Sequence, residues 1–194
     1  MKKFFAVLLV ALCGAVPLFA DDVADVKATI VKSLELDVKG DFAGALALYA
    51  PDYQETGADG VTVNYEQLRW MTLALDGKHP VEFLRFSYSA QNNGAMPKRE
   101  DLPRIDRLAR TPKFLKLYSD VLPELVAGQK ADAALALKTL KFVSVLVDGD
   151  KAVAVVEYDE KDGDSNAIKR KTETLSLRKT DGKWMFYRAV AKDK

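Results

Sequence analysis

Hydrophobic residues recur with two different periods along this chain, helical in the N-terminal part and alternating in the C-terminal part. Val23, Val26, Ile30 and Leu34 stand at helical spacing behind Asp22, which serves as a cap with Asp25 in the first turn, and Gly40 closes the run. Asp41 then opens a short second helix with the stripe Phe42, Ala45, Leu46 and Tyr49, ended by Pro51. A short strand and turn follow over 52–61. Asn64 and Gln67 form a capping box that starts a third helix through Trp70 and Met71 to about Leu75.

From Lys141 onward the period drops to two. "LKFVSVLVDGDKAVAVVEYDE" predicts two strands around Asp148-Gly149-Asp150, and "KRKTETLSLRKTDGKWMFYRAVAK" two more around Asp181-Gly182. Helices first and hairpins last define an α+β class, three N-terminal helices lying on one face of an antiparallel sheet. Between them, residues 78–138 predict a mainly helical insertion cut by Pro97, Pro103, Pro112 and Pro123. "VEFLRFSYSA" has the alternation of an added strand, Thr111-Pro112 starts a helix, and Pro123 kinks or ends it. Leu102, Ile105, Leu108, Phe114, Tyr118 and Leu122 recur too regularly for a free loop, so the segment is expected to pack against the rest as a lid or filler.

A two-residue turn at Asp181-Gly182 sets the register of the last hairpin. It places Leu177 opposite Phe186, Leu175 opposite Arg188 and Glu173 opposite Val190, which brings Glu173 diagonally beside Arg188. An arginine in the row Trp184, Phe186, Arg188, Val190 needs a carboxylate if it is buried, and Glu173 is available. The pair reads either as a structural ion pair or as the charged floor of a pocket. In the first hairpin both faces are apolar: Val143, Val145, Val147, Ala152, Ala154, Val156 and Tyr158 on one, Phe142, Ser144, Leu146, Val153, Val155 and Glu157 on the other. The helices cover one face. The second is expected to be covered by a second copy in a homodimer, or by the insertion folding back.

The first twenty residues alter the accounting. Lys2 and Lys3, an apolar run from Phe4 to Val16, and Ala20 before Asp21-Asp22 have the pattern of a secretory signal peptide, which predicts an exported chain with a single domain over 21–194. An alternative is a lipid anchor at Cys13, although Leu12 precedes it where such processing uses a small residue. Without the leader, 27 basic residues face 28 acidic ones. That balance argues against nucleic-acid binding, and no later segment is long and apolar enough for a membrane span.

"KGDFAGALALYAPDYQETGADG", the capped third helix, "LVDGDKAVAVVEY" and the closing "DGKWMFYRAV" resemble the nuclear transport factor 2-like superfamily, above all its small exported bacterial domains of unassigned function. The likeness covers about 21–76 and 139–192. It implies three helices and a strongly curved sheet forming a cone that usually retains a cavity, a fold that hosts isomerases, dehydratases, hydrolases and binding modules. The enzyme patterns it implies are each incomplete. The first helix lacks the tyrosine of the isomerase, the only histidine is His79 in a loop, and the arginine between two acids of the epoxide hydrolase finds only Arg188 and Glu173, with Asp52 and Glu55 as further carboxylates.

No catalytic residue, cofactor or metal is therefore assigned. Asp162-Gly163-Asp164-Ser165-Asn166 with Glu173 echoes a calcium loop, but Ala167 stands where that loop needs glycine and three basic residues follow. The candidate pocket residues are Tyr49, Tyr53, Trp70, Phe142, Glu173, Trp184, Phe186 and Arg188. The expected function is an exported module binding a small molecule or peptide in the cone. The alternative is an isomerase-, dehydratase- or epoxide hydrolase-like enzyme using Arg188 and nearby carboxylates.

Overall fold

The computed structural model describes residues 2–92, 94–161 and 167–193, with side chains described between 21 and 192. In chain order the elements are α1 (Lys2–Lys39), α2 (Phe42–Leu46), β1 (Tyr49–Thr56), β2 (Thr62–Asn64), α3 (Tyr65–Ala74), α4 (Pro80–Gln91), α5 (Leu102–Ala109), α6 (Pro112–Thr139), β3 (Lys141–Asp148), β4 (Lys151–Lys161), β5 (Ile168–Thr180) and β6 (Lys183–Asp193). The side chains of the leader and the segment 162–166, including the calcium-like loop, lie outside the described residues. Asp22 sits within α1 instead of capping it, and its carboxylate accepts a hydrogen bond from Lys179 Nζ at 2.6 Å.

The strands form one curved, open sheet in the order β2-β1-β6-β5-β4-β3. Neighbours run antiparallel except β1 and β6, which are parallel. Val26 and Ile30 of α1 and Leu68 of α3 pack on the inner face, against Ala152, Ala154 and Val156 of β4, Leu175 and Leu177 of β5, and Trp184 and Phe186 of β6. This is the core the two periods predict. It gives helices on one face of the sheet, the α+β arrangement that the resemblance implies.

Local chemistry explains the ends. Gly40, at φ +79°, supplies the left-handed residue that closes α1, and the Asp41 carboxylate accepts from the Gly44 amide to open α2. The capping box at α3 is complete, with Asn64 accepting from the Gln67 amide and Gln67 Oε1 from the Asn64 amide. Gln67 is buried, and its Nε2 also donates to Ser89 Oγ and to the Gly94 carbonyl, both at 2.7 Å. One side chain therefore caps α3 and ties it to α4.

Several expectations give way to tertiary packing. Tyr49 does not end a helix: it begins β1, and Pro51 lies inside that strand where the pairing with β6 shifts register, a place that tolerates a missing amide hydrogen. "VEFLRFSYSA" is helical. Pro80 at the first position favours helix, and Val81, Phe83 and Leu84 pack with Ala109, Phe114 and Tyr118 in a small second core inside the insertion. Pro123 does not end α6, which runs 28 residues through it and packs on α1 and β4.

Two β-bulges reassign faces. In β3 the register shifts between Phe142 and Ser144, so Phe142 turns inward against the core and Val143 turns out. In β6 the shift falls between Leu177↔Phe186 and Ser176↔Arg188, with Tyr187 as the extra residue. Past this point Ala189 and Ala191 face the core instead of Arg188 and Val190, because a one-residue slip moves every side chain to the opposite face.

The insertion does not cover the outer sheet face. Leu146 is 71 % exposed, Val143 58 % and Val153 39 %.

Candidate functional site

A cavity of about 270 Å³ lies between the inner sheet face and helices α1, α2, α3 and α6. Its apolar walls come from Ile30 and Leu34 on α1, Phe42 and Leu46 on α2, Leu68 and Met71 on α3 with Leu75 at its C-terminal end, and Leu175 and Phe186 on the sheet. Ala133 and Ala136 of α6 close another side. Tyr49 connects the wall to the strands: its ring stacks on Phe186 at 4.9 Å and meets Tyr53 edge-on at 4.7 Å.

Along each inner strand the residues change from apolar to acidic. On β4 the buried run Ala152, Ala154 and Val156 gives way to half-buried Tyr158 and Glu160. On β5, Leu177 and Leu175 give way to half-buried Glu173 and Lys171. β1 adds Glu55, α1 adds Asp37 and α6 adds Asp132, so five carboxylates line the cavity. Among the described lining residues no lysine, arginine or histidine is present. The adjoining Lys171 ammonium donates to Glu160 at 3.1 Å.

Two phenols are committed to this acid band. Tyr158 donates to Glu173 Oε2 at 3.0 Å and Tyr53 donates to Glu55 Oε2 at 3.2 Å. The Tyr49 hydroxyl makes no hydrogen bond among the described residues. Burial raises the pKa of all three phenols above the ordinary tyrosine range, so they remain protonated donors.

Burial likewise pushes Asp37 up to about 6 and Glu173 up to about 7. For Glu173, repulsion from Glu55 adds to the rise, while Lys171 and the Tyr158 hydrogen bond pull the other way. A carboxyl that titrates near neutrality beside phenols can relay a proton, and in its ionised form it attracts a cation.

Of the residues singled out from sequence, Tyr49, Tyr53, Glu55, Glu173 and Phe186 meet in the cavity. Trp70 and Trp184 are buried and Phe142 packs against the core, all three away from the cavity lining. Arg188 is a correction. It is exposed on the outer face opposite Ser176, and makes no ion pair among the described residues, because the Tyr187 bulge turns it away from Glu173. Asp52 is also outside, held at its surface by both terminal nitrogens of Arg178.

Asp37, Asp132, Tyr158 and Glu160 escaped the sequence reading. Tyr158 and Glu160 alternate with Val156 on a strand whose inner face was already recognised, so continuing that alternation identifies them.

No family model matches the chain, and no curated protein matches it. Solved structures do show likeness. An NTF2-like protein with a cystatin-like fold from Novosphingobium aromaticivorans is 14% identical, with a TM-score of 0.48 over 95% of this chain and 89% of that one. An NTF-2 like protein of unknown function from Shewanella oneidensis is 14% identical at TM-score 0.45, covering 88% and 98%. A ketosteroid isomerase-like protein from Erwinia carotovora atroseptica is 12% identical at TM-score 0.42, covering 89% and 95%. At these identities and scores no residue role, activity or partner passes from them to this chain. The α+β cone stands on the chain's own topology, helices against the inner face of a curved six-stranded sheet.

Raised carboxyl pKa values fix a sign for pH dependence. Glu173 binds its proton more tightly folded than unfolded, so its cost to the fold is absent below about pH 4.5 and grows until about pH 7, and Asp37 acts alike from 3.8 to about 6. Urea unfolding across this range is expected to show Glu173→Gln gaining stability relative to the parent as pH rises, by on the order of 1 kcal/mol or more at pH 7. A substitution that costs the same at pH 4.5 and pH 7 contradicts the buried-acid account.

Proposed function

We propose that this protein is an exported module that binds a small molecule or peptide in the cone. The observation that carries the reading is the cavity itself, in which apolar walls end in a band of carboxylates and phenols, the composition of a site that encloses a ligand and orients it by a few polar contacts. Export rests on the leader pattern at residues 1–20. Ala136→Trp, on the α6 wall, is the direct test, since its indole fills the cavity from one side. Ligands found by thermal-shift screening of the parent are expected to lose binding in this variant while it still melts cooperatively. Binding unaffected by the filled cavity sinks the proposal.

A second reading is an acid–base enzyme, favoured by Glu173 with its raised pKa beside the Tyr158 hydroxyl. Arg188 has no part in it. Solvent deuterium exchange next to the carbonyl of a bound cyclic ketone, lost in Glu173→Gln with binding retained, supports the enzyme. Binding without such exchange supports the module alone.

The outer sheet face supports a homodimer. Leu146, Val143 and Val153 stand exposed together beside half-buried Val155, an apolar patch of a kind soluble monomers seldom leave bare, with Thr174, Ser176 and Arg178 of β5 between it and Met185 and Tyr187 of β6. Light scattering at micromolar concentration is expected to give a dimer mass for the parent and a monomer mass for Leu146→Asp. A monomeric parent ends the idea.

A further inference from the structure

The insertion adds a second hollow beside the cavity. α3, α4 and α6 enclose a groove of about 540 Å³ walled by Met71, Leu75, Phe83, Phe86, Val121 and Leu125. Among the described residues no charged side chain lines it. Met71, Leu75 and Gln129 line both hollows, so the apolar groove and the acid-lined cavity adjoin.

We propose that the protein binds a long-chain aliphatic amine, its ammonium head among the cavity carboxylates and its alkyl chain in the groove between α3, α4 and α6. The proposal rests on the cavity being a ligand site and names the ligand class. Charge complementarity selects the head. Five carboxylates face one space with Lys171 as the adjoining ammonium, and carboxylates so placed repel one another unless a cation joins them.

Among the described residues no three acids stand close enough to hold a metal ion, so the acid band suits a larger organic cation whose N–H donors point in several directions. The Tyr49 hydroxyl offers an uncommitted acceptor, and the stacked Tyr49 and Phe186 rings can face a cation. The groove selects the tail. Its aliphatic and aromatic walls match a methylene chain, and each methylene moved out of water is expected to tighten binding by up to about fourfold. A fatty acid has the same tail, but its carboxylate enters a space already crowded with negative charge.

Calorimetry with dodecylamine, butylamine and dodecanoate below their micelle concentrations tests the assignment. Dodecylamine is expected to bind one per chain, about 100-fold tighter than butylamine and than dodecanoate. Glu173→Gln is expected to weaken both amines by about tenfold. Leu125→Gln, at a position already 41 % exposed and so safe for folding, is expected to weaken dodecylamine by at least about tenfold and leave butylamine unchanged. Dodecanoate binding as tightly as dodecylamine, or amine affinity independent of chain length, overturns the proposal. Dodecanoate binding as tightly as dodecylamine and abolished by Ala136→Trp refutes the amine while leaving the cavity a ligand site. No probe binding, together with no ligand sensitive to Ala136→Trp in screening, overturns both.

Discussion

One bulge in β6 sets the character of the cone. Before Tyr187 the strand turns Trp184 and Phe186 inward, and after it Ala189 and Ala191. Large rings thus fill the core where the helices press on the sheet, and methyl groups face it where Glu173 and Leu175 pair with that strand. Ala189 stands between Glu55 and Leu175 and Ala191 opposite Glu173, so the room beside these acids in the sheet is taken by small neutral side chains. Had the strand kept a regular alternation, Arg188 and Val190 would point into that room, and the space would hold an ion pair. The bulge exchanges a neutralised core for an acid-lined cavity.

The carboxylates that remain are held in an unfavourable state by the same geometry that makes them available. Glu173 is crowded by Glu55 and shielded from water, relieved in part by Tyr158 and Lys171. Such an arrangement costs stability at neutral pH and is at its least costly when the site is protonated or occupied by a cation. The structural core extends beyond it: Val26 and Leu177, both fully buried, lie outside the cavity lining, and Val156, paired with Glu173, marks the border. Stability and site are thus separated along the strands, apolar residues in one stretch and acids in the next.

Much of the fold was legible from periodicity and turn chemistry. Asn64 with Gln67 announced α3, Asp148-Gly149 and Asp181-Gly182 announced the hairpins, and the core residues on β4 and β5 alternate as predicted. The misassigned strand faces share one cause. Bulges at Val143 and Tyr187 leave no mark in a hydrophobic pattern, because the extra residue in each is itself apolar or aromatic and passes for a member of the alternating row, so extrapolating a perfect register moved Phe142 and Arg188 to the wrong faces. Tyr49, Tyr53, Phe186 and Glu173 were found because they precede the slip in β6 or lie on other strands. Asp37 and Asp132 were beyond reach for another reason: they lie on helices, and only the docking of α6 on α1 brings them to the same cavity. Pro123 and "VEFLRFSYSA" show packing overriding local preference in the insertion.

The titration of the Glu173 side-chain carboxyl, followed by carbon NMR with Glu173→Gln for assignment, addresses the central claim most directly. A desolvated acid in a cavity without a partner arginine is expected to titrate near 7, well above the ordinary 4.5. A midpoint at or below 4.5 means that Glu173 has a cationic partner after all, and contradicts the bulge-built, acid-lined cone.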